Sequence, residues 1–379
     1  MSGIWDFTFL GEVAPDAVDI ATIDYADRMR ERRRCLMEMR PLGRSGVLVS
    51  VIGLGTWPMG GEWWGEADDA ASIRTIHHAL DLGITLIDTA EAYAHGHAEE
   101  VVGRALAGRR HAAVLADKVA ADHLRPRDLR AAFEGSCRRL GTDYIDIYFI
   151  HWPNIDLPLA DAIGELERLR EAGAIRAIGV SNFTADEMTK AGRYGRIDVL
   201  QPPYNLFWRF CEQAEVPYCR EHAIGIMTYS SLAQGLLTGL LDEETEFPVG
   251  DQRPTTVLFQ PDHYARCLEA VAQVRSIAAR YGKTVAQVAL NWLVAQPGVS
   301  TALVGARTVG EIEENSGAVG WALGAEDLAE VDRIGLRVLG GLPTYPDMFG
   351  NWRRWELQQR RYERSGRVPD EQGTAGTVP

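Results

Sequence analysis

The stretch "LIDTAEAYAHGHAEEVVGRAL", residues 86–106, decides the fold class. It opens on a short apolar run typical of a buried β-strand and ends on the apolar periodicity of a helix. Between these two parts lie five polar or titratable side chains: Asp88, Glu91, Tyr93, His95 and His97. A strand followed at once by a helix is one βα unit, and polar groups at the carboxyl end of such a strand indicate a functional site.

Seven further apolar runs repeat this unit along the chain. The eight runs are VSVIGLGTW (49–57), TLIDTA (85–90), AAVLADKV (112–119), YIDIYFIHW (144–152), IRAIGVSNF (175–183), VLQPPYN (199–205), GIMTYSSL (225–232) and STALVGA (300–306). The intervening segments have helical periodicity, as at 127–140 and 159–172. Eight alternating units favour a closed parallel (β/α)8 TIM barrel of the α/β class. A doubly wound sheet is disfavoured because Pro58 stands where a dinucleotide fingerprint needs its third glycine.

A short β-hairpin is predicted ahead of the barrel. The stretch "EMRPLGRSGVLVSVIGLG" turns near residues 43–46 and should plug the lower end of the barrel. We therefore divide the chain into an N-terminal extension (1–36), a barrel domain (37–340) and a C-terminal extension with its tail (341–379). The sequence leaves open whether residues 1–36 form an ordered arm or precede the native start.

Charge and cysteine usage restrict the partners. A net charge of −14 opposes attraction to nucleic acid or to anionic membranes. The five cysteines are scattered without CxxC spacing, which suits reduced thiols in the cytoplasm. We expect a cytoplasmic protein whose partner is a small molecule, with no nucleic-acid or membrane partner; association of identical subunits stays open.

Four titratable side chains lie at the carboxyl ends of predicted strands: Asp88, Lys118 and His151 end strands, and Tyr93 follows in the loop after Asp88. Taken singly, each has an ordinary explanation, such as a capping aspartate, a surface tyrosine, a snorkelling lysine or a buried histidine. Their coincidence at strand ends that converge on one barrel mouth favours catalysis instead.

Two more histidines raise the alternative of a metal-dependent barrel hydrolase. His95 and His97 have H-x-H spacing and could join His151 and Asp88 around a cation. Such spacing is common, and Lys118 would place a positive charge at the same point. We therefore expect no metal.

Together the motifs resemble those of the aldo-keto reductases, over about residues 38–336. They are GLGTW (53–57), IDTAEAY (87–93), DKV (117–119), IHWPN (150–154), GVSNF (179–183), QPPYN (201–205), YSSLAQGLLTG (229–239) and GARTVGEIEEN (305–315). The resemblance implies NAD(P)H-dependent reduction of an aldehyde or ketone, or oxidation of the corresponding alcohol, with Asp88, Tyr93, Lys118 and His151 as the catalytic tetrad. Some relatives of this fold, such as potassium-channel beta subunits, are instead nucleotide-bound regulatory modules, and this alternative stays open.

The chemistry explains why these four residue types occur together. Hydride addition to a carbonyl leaves an alkoxide, so a proton donor must stand beside the oxygen, and a free tyrosine has a pKa of about 10. A nearby ammonium lowers that pKa, and a carboxylate keeps the ammonium charged. We assign these roles to Tyr93, Lys118 and Asp88, while His151 orients the substrate oxygen.

The resemblance also implies the cofactor contacts. They are Thr56, Trp57, Asp88, Ser181, Asn182, Gln201, Tyr229, Ser230, Leu232, Gln234, Gly235, Gly305, Ala306, Arg307, Glu311, Glu314 and Asn315. Ser181, Asn182 and Gln201 match carboxamide contacts, and Tyr229 matches the ring that stacks on the nicotinamide. Arg307 favours NADP(H) over NAD(H) because it can pair with a 2′-phosphate, whereas Glu311 would repel that phosphate and reduce the discrimination.

Aromatic residues are predicted to line the substrate pocket. Its residues by resemblance are Trp57, Tyr93, His151 and Trp152, which suits a bulky carbonyl compound. The segment 341–367 carries further aromatics and is a lid over this mouth, a subunit contact or a disordered chain end. One departure from the family is Asp117, beside the catalytic lysine; strand alternation predicts that it points away from Lys118.

Overall fold

The computed structural model describes residues 37–342 together with Met348 and Phe349, so the predicted N-terminal extension and most of the C-terminal segment lie outside it. The strands are β1 (Met39–Pro41), β2 (Leu48–Ser50), β3 (Ile52–Gly55), β4 (Leu86–Asp88), β5 (Val114–Val119), β6 (Ile145–Ile150), β7 (Ile175–Ser181), β8 (Val199–Gln201), β9 (Gly225–Thr228) and β10 (Val299–Gly305). The α-helices are α1 (Asp69–Asp81), α2 (His97–Leu106), α3 (Pro126–Leu140), α4 (Leu159–Glu171), α5 (Ala185–Ala191), α6 (Glu215–Glu221), α7 (Pro261–Arg280), α8 (Val285–Val294), α9 (Val309–Ser316) and α10 (Ala325–Leu339).

Strands β3 to β10 form a closed parallel barrel in chain order. The ring closes where β10 pairs with β3, with Ala302 opposite Ile52. Each of the eight predicted runs corresponds to one barrel strand, with β10 beginning one residue before its run, so the predicted (β/α)8 fold is confirmed. The carboxyl ends of all eight strands therefore meet at one mouth.

The hairpin β1–β2 closes the opposite end, as predicted. Its residues Leu42, Val47 and Val49 join the side chains inside the barrel in one buried cluster. Gly43 has a φ of +54°, and a Cβ there would lie 2.4 Å from the backbone nitrogen of Gly225, the first residue of β9. Only glycine lets the hairpin backbone approach the barrel floor this closely.

The helices cover the outside of the barrel. Helix α3 starts at Pro126 and stops at Gly141, whose φ of 64° is the left-handed conformation that ends many helices. It buries Leu129, Phe133 and Leu140 against the sheet, as its sequence periodicity predicts. None of the helices within the described part of the chain has the length and apolarity needed to cross a bilayer.

Candidate active site

Lys118 is the centre of a buried polar cluster at the mouth of the barrel. Its Nζ donates to Asp88 Oδ1 at 2.6 Å, to the Thr89 carbonyl oxygen at 2.8 Å and to the Tyr93 hydroxyl oxygen at 3.0 Å. The lysine side chain has no exposed surface. A buried ammonium with three acceptors, one of them a carboxylate, is held charged and in one position.

Asp88 is fixed from two further sides. Gln201 Nε2 donates to Asp88 Oδ2 at 2.9 Å. The backbone N–H and the hydroxyl of Thr56 both donate to the Asp88 carbonyl oxygen, at 2.9 and 3.0 Å. Asp88 therefore connects strand β4 to the ends of β3, β5 and β8, which the sequence places far apart.

Burial opposes the lowering of the Tyr93 pKa that the sequence predicted. Burial raises the pKa of Tyr93 above its ordinary value, and the charge of Lys118 lowers it by less than burial raises it. The expected net reduction of the Tyr93 pKa is therefore wrong, although Lys118 acts in the expected direction. For Lys118, burial is outweighed by Asp88 and Tyr93, so its pKa lies above the usual value and the side chain stays charged.

His151 lies beside Tyr93 as a neutral imidazole. The two rings meet edge to face with centroids 5.7 Å apart. Burial, with the charge of Lys118 as the second cause, holds the pKa of His151 well below its usual value. A neutral imidazole has one N–H group, which can donate a hydrogen bond to a substrate oxygen but does not readily give up its proton.

The predicted carboxamide contacts lie together next to Asp88. The Ser181 hydroxyl donates to the Gln201 carbonyl oxygen at 2.9 Å, and the Asn182 amide donates to the His151 carbonyl oxygen at 3.0 Å. The Tyr229 hydroxyl donates to Asn182 Oδ1 at 2.8 Å. Asn182 has a φ of 62°, a left-handed conformation that asparagine adopts more readily than most residues other than glycine.

The loop after β9 has an unusual concentration of left-handed backbone. Ser230, Ala233, Gln234 and Gly235 all have positive φ, between 50° and 103°. Gln234 is buried, and its Nε2 has no hydrogen-bond partner among the described residues. A buried donor without an acceptor, on a strained loop that also carries Leu232, fits a bound anionic group such as the cofactor's pyrophosphate.

The predicted adenosine contacts lie between the end of β10 and the last turn of α9. Gly305 is the last residue of β10 and Ala306 follows it, whereas Glu314 and the buried Asn315 lie near the carboxyl end of the helix. The Arg307 backbone N–H donates to Glu311 Oε2 at 2.7 Å. The Arg307 guanidinium donates to two backbone carbonyl oxygens of the first loop, Trp64 and Glu66. The sequence did not indicate this last contact, because backbone acceptors leave no signature in the pattern of side chains.

Aromatic rings wall the predicted substrate pocket. Trp57 stacks on Tyr93 with centroids 5.9 Å apart, and Trp64 meets Trp57 edge to face at 5.3 Å. Phe349 lies 5.9 Å from Trp57 and 6.4 Å from Trp152, and its ring is parallel to Tyr229 at 6.2 Å. Phe349, from the segment 341–367, thus reaches the mouth; residues 343–347 and 350–367 lie outside the described residues.

One residue at the mouth escaped the sequence interpretation. Arg253 donates from Nε and Nη2 to the Asp251 carboxylate and packs over the rings of Trp64 and Phe247, and a Cβ on Gly235 would lie 3.6 Å from its guanidinium. No motif surrounds Arg253, so the pattern of side chains did not indicate it.

The remaining polar groups of the opening stretch have structural contacts. His97 bonds to Asp69 Oδ1 at 2.9 Å, and the side chain of His95 is almost fully exposed. Glu91 Oε1 accepts the Ala120 backbone N–H at 2.6 Å. Within residues 37–342, no three side chains of the metal-binding types are grouped as a metal site would require.

Sequence comparison agrees with this geometry. The model of the aldo/keto reductase family matches residues 51–335, which contain all four tetrad positions. The chain belongs to the aldo/keto reductase family. As a member, it is an oxidoreductase that reduces carbonyl compounds with a nicotinamide cofactor.

Individual relatives of this aldo/keto reductase cover most of its length. It is 42% identical over 309 residues to the aldo-keto reductase YhdN of Bacillus subtilis, covering 79% of this chain and 93% of that protein. It is 34% identical to the NADH-specific methylglyoxal reductase of Escherichia coli, covering 75% and 94%.

Solved structures give the same assignment. The glycerol dehydrogenase of Gluconobacter oxydans superposes with a TM-score of 0.74 at 37% identity, covering 82% of this chain and 98% of that one. An aldo/keto reductase of Klebsiella pneumoniae, in complex with NADP and acetate, superposes with a TM-score of 0.65 at 32% identity, covering 82% and 98%.

Proposed function

We propose that Tyr93 is the general acid and base of carbonyl reduction in this enzyme. The observation that carries the proposal is the single ammonium of Lys118, which bonds to both the Tyr93 hydroxyl and Asp88. When Tyr93 gives its proton to a substrate oxygen, the resulting tyrosinate is next to a fixed positive charge. The same cation favours ionised Tyr93 in the reverse direction, where Tyr93 takes the proton of an alcohol.

His151 and Asp88 complete the machinery in this proposal. The neutral imidazole of His151 donates to the carbonyl oxygen and holds it within reach of Tyr93. Asp88, held by Gln201 and Thr56, keeps Lys118 charged and directed toward the tyrosine. Loss of the hydrogen bond from Gln201 or from Thr56 would shift Tyr93 out of position, although its hydroxyl group would still be present.

The residues at the mouth fit a nicotinamide dinucleotide. Ser181, Asn182 and Gln201 would hold the carboxamide, Tyr229 would support the ring, and Gln234 offers a buried donor to a phosphate. When bound, the cofactor supplies the hydride. Tyr93 and His151 position the carbonyl on the side where Trp57 and Phe349 exclude water.

For the cofactor's identity we propose a modest preference for NADPH. Arg307 brings a positive charge to the start of α9, which favours a 2′-phosphate. Glu311 reduces the preference for NADPH over NADH, because its carboxylate accepts the Arg307 backbone N–H and places a negative charge beside Arg307. The relatives do not decide this point, since one is NADH-specific and another was solved with NADP.

The proposed substrate is an aldehyde or ketone with an aromatic or apolar body. Support comes from the rings of Trp57, Trp152 and Phe349, which surround the position beside Tyr93. Two relatives are named for small polar compounds, methylglyoxal and glycerol, so the comparison of small with bulky carbonyls is informative.

An initial-rate screen tests the proposal. Aromatic aldehydes, small dicarbonyls, ketones and sugars are assayed with NADPH and with NADH, following cofactor absorbance, with Tyr93→Phe as the matched control. We expect chelator-insensitive turnover by the wild type, fastest with aromatic aldehydes, and little turnover by the variant. Wild-type rates in a folded Tyr93→Phe protein would overturn the role of Tyr93, and cofactor binding without turnover of any carbonyl would favour a regulatory module.

A further inference from the structure

Directly behind the catalytic lysine, on the outer face of β5, lies a second buried polar cluster. Asp117 precedes Lys118 in the strand and points away from the mouth, as strand alternation predicted. It is in register with Tyr148 of β6, whose ring packs on Phe133 of α3. Helix α2 contributes Glu99 to the same space, and none of these carboxyl groups is exposed.

If Asp117 and Glu99 were both ionised, this cluster would offer too few hydrogen-bond donors for their carboxylate oxygens. Arg139 Nε donates to Glu99 Oε2 at 2.5 Å, and Arg139 Nη2 lies 3.4 Å from the Ser136 hydroxyl. Both oxygens of Asp117, Glu99 Oε1 and the Tyr148 hydroxyl are buried without a well-aligned hydrogen bond among the described residues. The Lys118 backbone N–H and the Ser136 hydroxyl favour an ionised Asp117, but less than burial and Glu99 oppose it. Arg139 is thus paired with Glu99, and an ionised Asp117 would be an unpaired anion beside another carboxylate.

We infer that Asp117 is a neutral carboxylic acid in the folded enzyme, behind the catalytic lysine. The neutral form removes one of two like charges from a space in which neither carboxyl group is exposed.

The electrostatics of the surroundings support this state. Burial, followed by the carboxylate of Glu99, raises the pKa of Asp117 well above its ordinary value, against weaker effects of Lys118 and Ser136. Other titratable groups around the cluster are Tyr148 on β6, Cys137 and Arg139 on α3 and Glu91 in the loop after β4.

The neutral state has a consequence for catalysis that rests on the proposed function of Tyr93. A negative charge on Asp117 raises the pKa of Tyr93, in opposition to Lys118. With Asp117 neutral, the field of Lys118 acts on Tyr93 without that competitor. Asp117 is therefore a positioning residue. Because it stays neutral, it does not raise the pKa of Tyr93 as an ionised Asp117 would.

Infrared spectroscopy of the whole enzyme tests the protonation state without reference to activity. A neutral carboxylic acid has a carbonyl-stretch band separate from those of carboxylates, and labelling with [4-13C]aspartate assigns the band to aspartate. We expect such a band at neutral pH in the wild type and its loss in Asp117→Asn. A wild-type spectrum in which Asp117→Asn removes only carboxylate absorption would overturn the inference.

Glu99→Gln supplies a second, independent arm. Removing this charge frees Arg139 to pair with Asp117, so we expect the acid band to disappear at neutral pH. The alkaline limb of the reductase pH profile should then move to higher pH, and the double variant Glu99→Gln/Asp117→Asn should reverse that shift. If Asp117→Asn alone moves the limb to lower pH, Asp117 is ionised in the wild type and the inference is wrong. A band that behaves as expected, with no Tyr93-dependent limb at all, would instead contradict the proposed role of Tyr93.

Discussion

The two ends of the barrel are built in different ways. The lower end is apolar and tightly packed: Leu42, Val47 and Val49 fill it, and Gly43 touches the backbone of β9. The mouth instead holds a buried lysine, left-handed residues such as Asn182 and Gln234, and a buried donor without a partner. Seven of the eight non-glycine residues with positive φ in the described part of the chain follow the carboxyl ends of barrel strands; the exception is Ala223, at the lower end. Such backbone costs stability, so its concentration at the mouth indicates that this end is organised for ligands and the other for folding.

The largest expected effect is a change at the mouth. Tyr93→Phe removes one hydroxyl from the pocket, and general acid catalysis contributes about 10² to 10⁴ in rate. We expect kcat to fall by that factor while the melting temperature stays close to that of the wild type. Steady-state kinetics and calorimetry on the same preparation measure kcat and the melting temperature. A large loss of stability would contradict the claim that the mouth serves ligands and the lower end serves folding.

A change at the lower end should do the reverse. In Gly43→Ala the added Cβ meets backbone atoms, and a positive φ disfavours alanine, so we expect the enzyme to lose about 2–4 kcal/mol of stability. Gly46→Ala in the same hairpin is the matched control, because its Cβ would meet nothing within 4 Å. Thermal unfolding should rank the control between wild type and Gly43→Ala, with kcat of the folded fraction equal in all three; a selective fall in kcat would contradict the division.

Within the mouth, a smaller effect is expected at α9. Glu311→Gln keeps an acceptor for the Arg307 N–H but removes the charge, so the ratio of kcat/KM for NADPH to that for NADH should rise roughly two- to fivefold. Glu313→Gln makes the same charge change on the same helix, where the side chain pairs with His78. Equal shifts in both variants would mean that general charge, and not the position of Glu311, sets the ratio.

The smallest effect is expected at Phe349. Phe349→Ala removes a ring that contacts Trp57 and Trp152, and an aromatic contact contributes about 0.5–1.5 kcal/mol. KM for aromatic aldehydes should rise roughly two- to tenfold, while KM for a three-carbon dicarbonyl should change little. An equal rise for both substrates would remove Phe349 from the specificity pocket.

The fold was predictable because apolar runs and helical periodicity are local properties. The positions of Asp88, Tyr93, Lys118 and His151 followed from motifs that resemble one family, and the outward direction of Asp117 followed from strand alternation. Other features depend on contacts between distant segments. Phe349 reaches Trp57 across the mouth, and the guanidinium of Arg307 binds backbone carbonyls.

The net pKa of Tyr93 was mispredicted for a related reason. A neighbouring lysine can be read from motifs, so the direction of its effect was predictable. Burial is a property of the whole pocket and depends on rings from several loops, among them Trp57. Its contribution to the pKa of Tyr93 outweighs that of Lys118 and required the structure.

The most direct test of the proton-donor role of Tyr93 is the pH dependence of kcat/KM in both reaction directions. Reduction needs protonated Tyr93, so its rate should be full at low pH and be lost as pH rises through the pKa of this tyrosine. Oxidation needs the ionised form and should rise through the same pKa, and since burial raises that pKa, both limbs should lie at alkaline pH. We predict opposite limbs with one shared pKa, both absent in Tyr93→Phe. Limbs with different pKa values, or limbs that persist in the variant, would contradict this role.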